Sequence, residues 1–365
     1  MATVPRTRLS SAVFRLPIQR IREGYYSDAY FNFTKELLED DGHHPEVLMQ
    51  VFQKHEDSVL GGIDEAIAIL RECSGHRDES GIWQPGWDGL EVHALYEGDR
   101  VGEREAVLTI RGDYAQFAHL ETVYLGCLAR RTLIMRNVAE VVEAANGKQI
   151  LFFPARHDHW LVQTGDGWSA HIGGTVGVST DAQSSWWGGR GVGTVPHALI
   201  AAYGGDTALA ARKFADRFSR DMNVTVLVDF VNDSVRTALE VAEALGEDLW
   251  GVRLDTSNTL ADESLRRLHG DAAPTGVAAE LVELVRHELD AHGFPNVRIV
   301  VSGGFTAERI NAFEEAGVPV DSYGVGSSLL RGANDFTADV VMVDGRPCAK
   351  VGREYRPNER LSVVK

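Results

Sequence analysis

Several short runs place glycine, arginine, aspartate or histidine where an apolar stretch ends, and each could handle an anion or sugar hydroxyls. Val-Ser-Gly-Gly-Phe at 301–305 and Tyr-Gly-Val-Gly-Ser-Ser-Leu-Leu at 323–330 both follow strand-like segments and precede helical ones. The backbone N–H groups of Gly303, Gly304, Gly326 and Ser327 can converge there on one phosphate, because free amides at a helix start favour negative charge. Each loop could also be a tight turn that needs glycine for steric reasons; two in tandem favour phosphate. In Val-Arg-Leu-Asp-Thr-Ser-Asn-Thr (252–259), strand alternation sends Arg253 and Asp255 to the same face. That pair is either an internal ion pair or a site where Asp255 holds ribose hydroxyls or Mg²⁺ and Arg253 lies near the substrate.

Three further segments extend this set. Asp229 and Asp233 close the run Leu-Val-Asp-Phe-Val-Asn-Asp. Asp233 suits the N-cap of the helical stretch after it, which leaves Asp229 as the candidate for chemistry. Thr194, Pro196 and His197 open another helical run. Proline fixes that first turn, so His197 stands at a pocket mouth as a phosphoryl acceptor or anion contact, or else as a structural histidine. Phe-Phe-Pro-Ala-Arg-His-Asp-His (152–159) offers Phe153 as a stacking face and Arg156 as a fork for a carboxylate. His157 and His159 have no third ligand at a recognisable spacing, so zinc is not expected. Tyr30 belongs to a tyrosine-rich segment that serves an interface, a shared site or plain packing.

The elements that must position these residues fall into two patterns. Residues 21–145 mix helices with short strands: an apolar strand at 47–54, an amphipathic helix at 61–73, two strands within 91–109 and a long helical region at 115–145. From about 150 to 330, apolar strand ends alternate with helical segments, which implies a parallel sheet covered by helices. Polar residues cluster after the strands, the arrangement of a barrel's carboxyl-terminal rim. After residue 335 the chain returns to short β segments (339–345 and 349–357) that pair back with the first pattern. The organisation read from sequence is an arm at 1–20, an α+β sandwich domain from 21–145 with 335–365, and an irregular open α/β barrel at 146–334.

Length and charge bound the partners. The 365 residues suit two domains or one barrel with an extension. A net charge of −17 repels nucleic acid, so an anionic substrate needs a local basic pocket. The three cysteines are too scattered for a disulfide framework, which suggests a reducing compartment. No stretch is apolar enough for a transmembrane helix, and the first residues lack the apolar core of a secretory leader, so a cytoplasmic protein without membrane partners is expected.

In order, these segments resemble the nicotinate phosphoribosyltransferase family. That type II group also includes nicotinamide and, more distantly, quinolinate phosphoribosyltransferases. The match runs through Asp-Ala-Tyr-Phe (28–31), the Leu-Glu-Thr helix (120–122), the Phe-x-x-Arg turn, the Gly-Thr-x-x-His loop, the two aspartate strands and the closing glycine loops. Where the family carries a second arginine this chain has His157, and Thr256-Ser257-Asn258 replaces Ser-Gly-Asp. The resemblance implies an enzyme that transfers ribose 5-phosphate from phosphoribosyl pyrophosphate to the ring nitrogen of nicotinate, releasing pyrophosphate with Mg²⁺, in NAD biosynthesis. It implies ATP coupling through phosphorylated His197. It also implies a homodimer with shared sites in which Tyr30 of one subunit stacks on the pyridine opposite Phe153 of the other. Arg156 would meet the nicotinate carboxylate, Asp229 and Asp255 the ribose and Mg²⁺, and the glycine loops the 5-phosphate. Alternatives are a decarboxylating quinolinate phosphoribosyltransferase, which needs more basic residues beside Arg156, and a catalytically silent nucleotide-binding relative. A Schiff-base lyase is disfavoured, because neither Lys148 nor Lys213 falls at a strand end.

Overall fold

The computed structural model describes residues 6–365 and divides into two compact units. One holds the residues up to Arg136 together with Gly332–Lys365; the other is Asn137–Arg331. The sequence reading set these boundaries after residue 145 and before residue 335.

The first unit is built on an antiparallel sheet. Its strand order is Arg346–Pro347, Phe336–Val343, Glu46–Gln53, Ala106–Asp113, Glu91–Ala94, Ser362–Val363. Glu46–Gln53 lies inside the sheet, paired with Phe336–Val343 on one side and Ala106–Asp113 on the other. Seven of its eight residues are buried, which explains why apolar residues fall on both of its faces, while the buried amides of Gln50 and Gln53 donate to backbone carbonyls of Glu354 and Gly102. The helix Ile63–Cys73 packs into the core on nearly every side, and even Asp64 and Glu65 are buried. The 1–20 arm is tied down where it is described: Arg8 donates to Asp64 Oδ1 at 2.9 Å, and the Leu9 N–H to Asp64 Oδ2 at 2.8 Å. Its first five residues lie outside the described set.

One expectation in this unit fails. The run 349–357 forms no strand; among the residues after 345, strands are confined to Arg346–Pro347 and Ser362–Val363. Gly352 takes a positive φ of 82° and Pro357 offers no amide, so the segment is a turn and an extended loop.

The second unit is a parallel sheet in the order Val224–Leu227, Leu249–Leu254, Arg298–Val301, Ser322–Val325, Gln149–Phe152, Gly177–Val178. Its two edges are joined by the extended segment 192–195. There the Val192 N–H donates to Val178 O at 2.7 Å, and the Val195 N–H to Thr225 O at 2.8 Å. The result is an irregular barrel whose gap is spanned by a bridge and not by a full strand. Helices Thr207–Phe218, Ser234–Leu245, Ala279–Ala291 and Ala307–Glu315 alternate with the strands. Each turns small and aliphatic side chains inward, such as Ala238, Val241 and Ala242, while its charged face stays in water. Strand interiors are fully buried at Val226, Val252, Leu254, Ile299 and Val325, so the polar side chains beyond the strand ends have a rigid base.

Candidate active site

A cavity of about 520 Å³ opens at the carboxyl ends of the barrel strands. Its lining includes Phe153, Arg156, Thr194, His197, Arg253, Asp255, Gly303, Gly304, Gly326 and Ser327. The two glycine loops therefore share one space with the arginine–aspartate strand. Two predicted residues stand apart from that lining. Asp229 sits just behind His197, and Tyr30 belongs to the other unit, on helix Ala29–Asp40, where it is 59% exposed.

Arg253 is the hub of the wall. Its Nε donates to Ser302 Oγ at 2.8 Å and its Nη1 to Thr194 Oγ1 at 3.4 Å. The guanidinium lies 4.9 Å from the Phe153 ring centroid and 3.7 Å from Asp255 Oδ1. Burial lowers its pKa, and Asp255 and Asp229 oppose that shift, so both carboxylates act on the same cation. Ser302 completes the triangle by donating to Asp255 Oδ1 at 2.7 Å. Ser302 was not singled out from sequence. Serine before two glycines looks like turn chemistry, and only the strand pairing shows that its hydroxyl joins an arginine on the neighbouring strand to an aspartate.

His197 opens the short helix His197–Ala202, as the preceding proline requires. Its Nε2 lies 2.9 Å from Asp229 Oδ1. The imidazole is 42% exposed while Asp229 is 7% exposed, so the acid is sequestered and the base faces the cavity. The Asp229 hydrogen bond raises the His197 pKa against the opposing effect of burial.

The loops carry unspent donors. Among the described residues, no hydrogen bond takes the N–H of Gly303, Gly304, Gly326 or Ser327. Backbone amides are seldom left unpaired away from water, so four of them around one cavity form a ready anion seat. Phe153 has its place because Gly324 has no side chain: a Cβ there would fall 2.5 Å from the ring. The cavity also gathers Arg156 and His157, so two guanidiniums, those of Arg156 and Arg253, face one carboxylate, that of Asp255, in a chain of net charge −17.

The donor set fits Mg²⁺. That ion binds through one or two carboxylates and otherwise takes water and substrate phosphates; Asp255 on the cavity wall is one such hard oxygen ligand, while Asp229 behind His197 has its Oδ1 engaged by the imidazole. Among the described residues, no group of three histidine, cysteine or acidic side chains forms a protein-only metal cage.

With the geometry in hand, the chain can be set beside known proteins. Residues 28–132 match the family model described as quinolinate phosphoribosyl transferase, N-terminal domain. A crystal structure of nicotinate-nucleotide pyrophosphorylase from Pyrococcus furiosus is 32% identical, covers 96% of this chain and 85% of its own, and superposes with a TM-score of 0.78. The chain belongs to the nicotinate and quinolinate phosphoribosyltransferase family. Within that family, a nicotinate phosphoribosyltransferase of Mycobacterium tuberculosis is 32% identical over 269 residues, 71% of this chain and 55% of that protein. The chain thus spans about half the length of the curated relatives it matches. Human nicotinic acid phosphoribosyltransferase shares the fold at 17% identity, with a TM-score of 0.67 over 88% of this chain and 76% of its own. None of the described helices is long and apolar enough to cross a membrane.

Proposed function

We propose that the protein is a nicotinate phosphoribosyltransferase. It joins nicotinate to phosphoribosyl pyrophosphate and gives nicotinate mononucleotide and pyrophosphate. The observation that carries this reading is the single cavity that holds both glycine loops, Asp255, Arg253, Arg156 and Phe153. In it, the free amides of Gly303, Gly304, Gly326 and Ser327 receive the 5-phosphate. The pyridine ring lies on Phe153, and its carboxylate meets Arg156. Asp229 and Asp255 hold the ribose hydroxyls and would hold Mg²⁺, which when bound neutralises the leaving pyrophosphate.

The chemistry needs little more. As the C1–oxygen bond to pyrophosphate breaks, positive charge builds on the ribose, and the carboxylate of Asp255 on the cavity wall stabilises it. The pyridine nitrogen already carries the attacking lone pair, so no general base is required. The protein's task is to hold the two substrates in line.

ATP coupling through His197 is part of the proposal. With Nε2–H held by Asp229, the lone pair on Nδ1 is left to attack the γ-phosphorus of ATP. The Nδ1–P bond forms, the bond to the β-phosphate oxygen breaks, and ADP leaves. The carboxylate stabilises the cationic ring that results, as in other histidine–aspartate pairs. We also propose a homodimer in which Tyr30 of one subunit stacks on the pyridine bound by the other.

The test is an assay of pyrophosphate release with nicotinate, nicotinamide or quinolinate as acceptor, with and without ATP. Nicotinate turnover stimulated by ATP supports the proposal. Carbon dioxide release from quinolinate, with no turnover of nicotinate, replaces it with the decarboxylating reaction. Replacing His197 with alanine should abolish the ATP stimulation and spare basal transfer at high phosphoribosyl pyrophosphate.

A further inference from the structure

We infer that Arg309, which does not line the cavity, is a positioning residue that fixes the direction of the Gly304 amide and so sets the affinity for the substrate's phosphate. The inference rests on the reading of the cavity as a phosphoribosyl site. Gly303 and Gly304 are consecutive residues at φ of 90° and 78°. Glycine has no conformational preference strong enough to hold such a pair, and a peptide plane between two glycines can turn over at small cost. Something outside the loop must choose its orientation.

Arg309 makes that choice. Its Nη1 donates to Gly303 O at 3.0 Å, and its Nη2 donates to Val277 O at 2.7 Å. Val277 lies just ahead of helix Ala279–Ala291, so the guanidinium ties the loop to a separate, packed part of the unit. The side chain is itself confined. It lies 4.2 Å from the centroid of Phe305 and 5.7 Å from that of Phe313. Its backbone N–H is capped by Thr306 at the start of helix Ala307–Glu315.

The consequence follows from peptide geometry. The Gly303 carbonyl and the Gly304 N–H belong to one planar trans unit and point in opposite directions. A guanidinium that holds the carbonyl on one side therefore holds the N–H toward the other. Gly304 lines the cavity, and its N–H is not spent on any hydrogen bond among the described residues. Arg309 thus serves the phosphate through a peptide and not by contact.

The experiment compares wild type with Arg309→Met, which keeps the aromatic packing, and with Arg309→Lys, which keeps the charge but loses the two-pronged grip. Initial rates give KM for phosphoribosyl pyrophosphate and for the acceptor, thermal melts give Tm, and calorimetry gives the affinity for phosphoribosyl pyrophosphate without turnover. Expected for both variants is a rise of roughly 10–100-fold in KM and Kd for phosphoribosyl pyrophosphate, the scale of one lost hydrogen bond to a charged group. The acceptor KM should stay near wild type, while Tm falls by a few degrees as the carbonyls of Gly303 and Val277 lose their donors. An unchanged phosphoribosyl pyrophosphate affinity in Arg309→Met overturns the inference. Full recovery in Arg309→Lys also overturns it, because charge alone would then suffice, as does a matched rise in the acceptor KM. If wild type binds phosphoribosyl pyrophosphate without transferring it, the functional reading fails, and the calorimetric comparison still decides the role of Arg309.

Discussion

His197 and Asp229 show how a single contact gives a testable pH dependence. The Asp229 bond raises the imidazole pKa in the folded protein. A raised folded value stabilises the fold fully below the unfolded histidine value, about 6.5, and that contribution is lost as pH rises through the folded value. The Tm advantage of wild type over Asp229→Asn should therefore shrink on going from roughly pH 6 to roughly pH 9, a window in which histidine changes charge. Thermal melts across that range check it, and a constant advantage contradicts the pairing. Ser302 supplies a second residue-scale prediction. Its hydroxyl accepts from Arg253 and donates to Asp255, and its surroundings are almost closed to water. Ser302→Ala removes the hydroxyl that links Arg253 to Asp255, two half-buried groups on the cavity wall, at a cost of about 1 kcal/mol. Chemical denaturation should show that loss together with a fall in kcat/KM; wild-type behaviour in both would remove Ser302 from the account. His197, Arg253 and Asp255 were legible in the sequence, because proline before histidine and alternation along a strand have local causes. Ser302 and Arg309 were not, because their partners lie 49 and 32 residues away, on neighbouring elements.

At the scale of elements, the alternation of apolar strand ends and helices was readable from periodicity, since each barrel strand is buried and each helix has one wet face. The segment 192–195 was not readable as the piece that joins the sheet edges, because it pairs through only a few backbone bonds and has no apolar run of its own. The expected strand at 349–357 was lost for the complementary reason: β-competent residues are there, but Gly352 and Pro357 interrupt them. The strand Ser322–Val325 offers the test at this level. Gly324→Ala would set a methyl 2.5 Å from Phe153 Cε2, so the ring must move. Overpacking of this kind costs about 1–3 kcal/mol. The acceptor KM should rise while the KM for phosphoribosyl pyrophosphate changes less. Initial-rate kinetics with either substrate varied will show it, and an unchanged acceptor KM would mean that Phe153 is not the pyridine's platform.

For the whole molecule, the contrast between an acidic chain and a cationic cavity matters most. In a chain of net charge −17, the guanidiniums of Arg156 and Arg253 gather with His197 on one cavity. Tyr30 raises the question of assembly: it is 59% exposed on a helix with no fully buried residue, its ring touching only the neighbouring Phe31 among the ring contacts of the described residues. If sites are shared between subunits, Tyr30→Ala and Asp255→Ala enzymes, each nearly inactive alone, should regain activity when their subunits are mixed and exchanged. Activity that stays at the level of the separate variants would leave each subunit with a self-contained site.

The most direct test of the central claim is to label the glycines with ¹⁵N and titrate the protein with phosphoribosyl pyrophosphate. The account predicts that the amide signals of Gly303, Gly304 and Gly326 shift together and saturate at the concentration that saturates the transfer reaction. Saturated turnover with those three signals unmoved would contradict it.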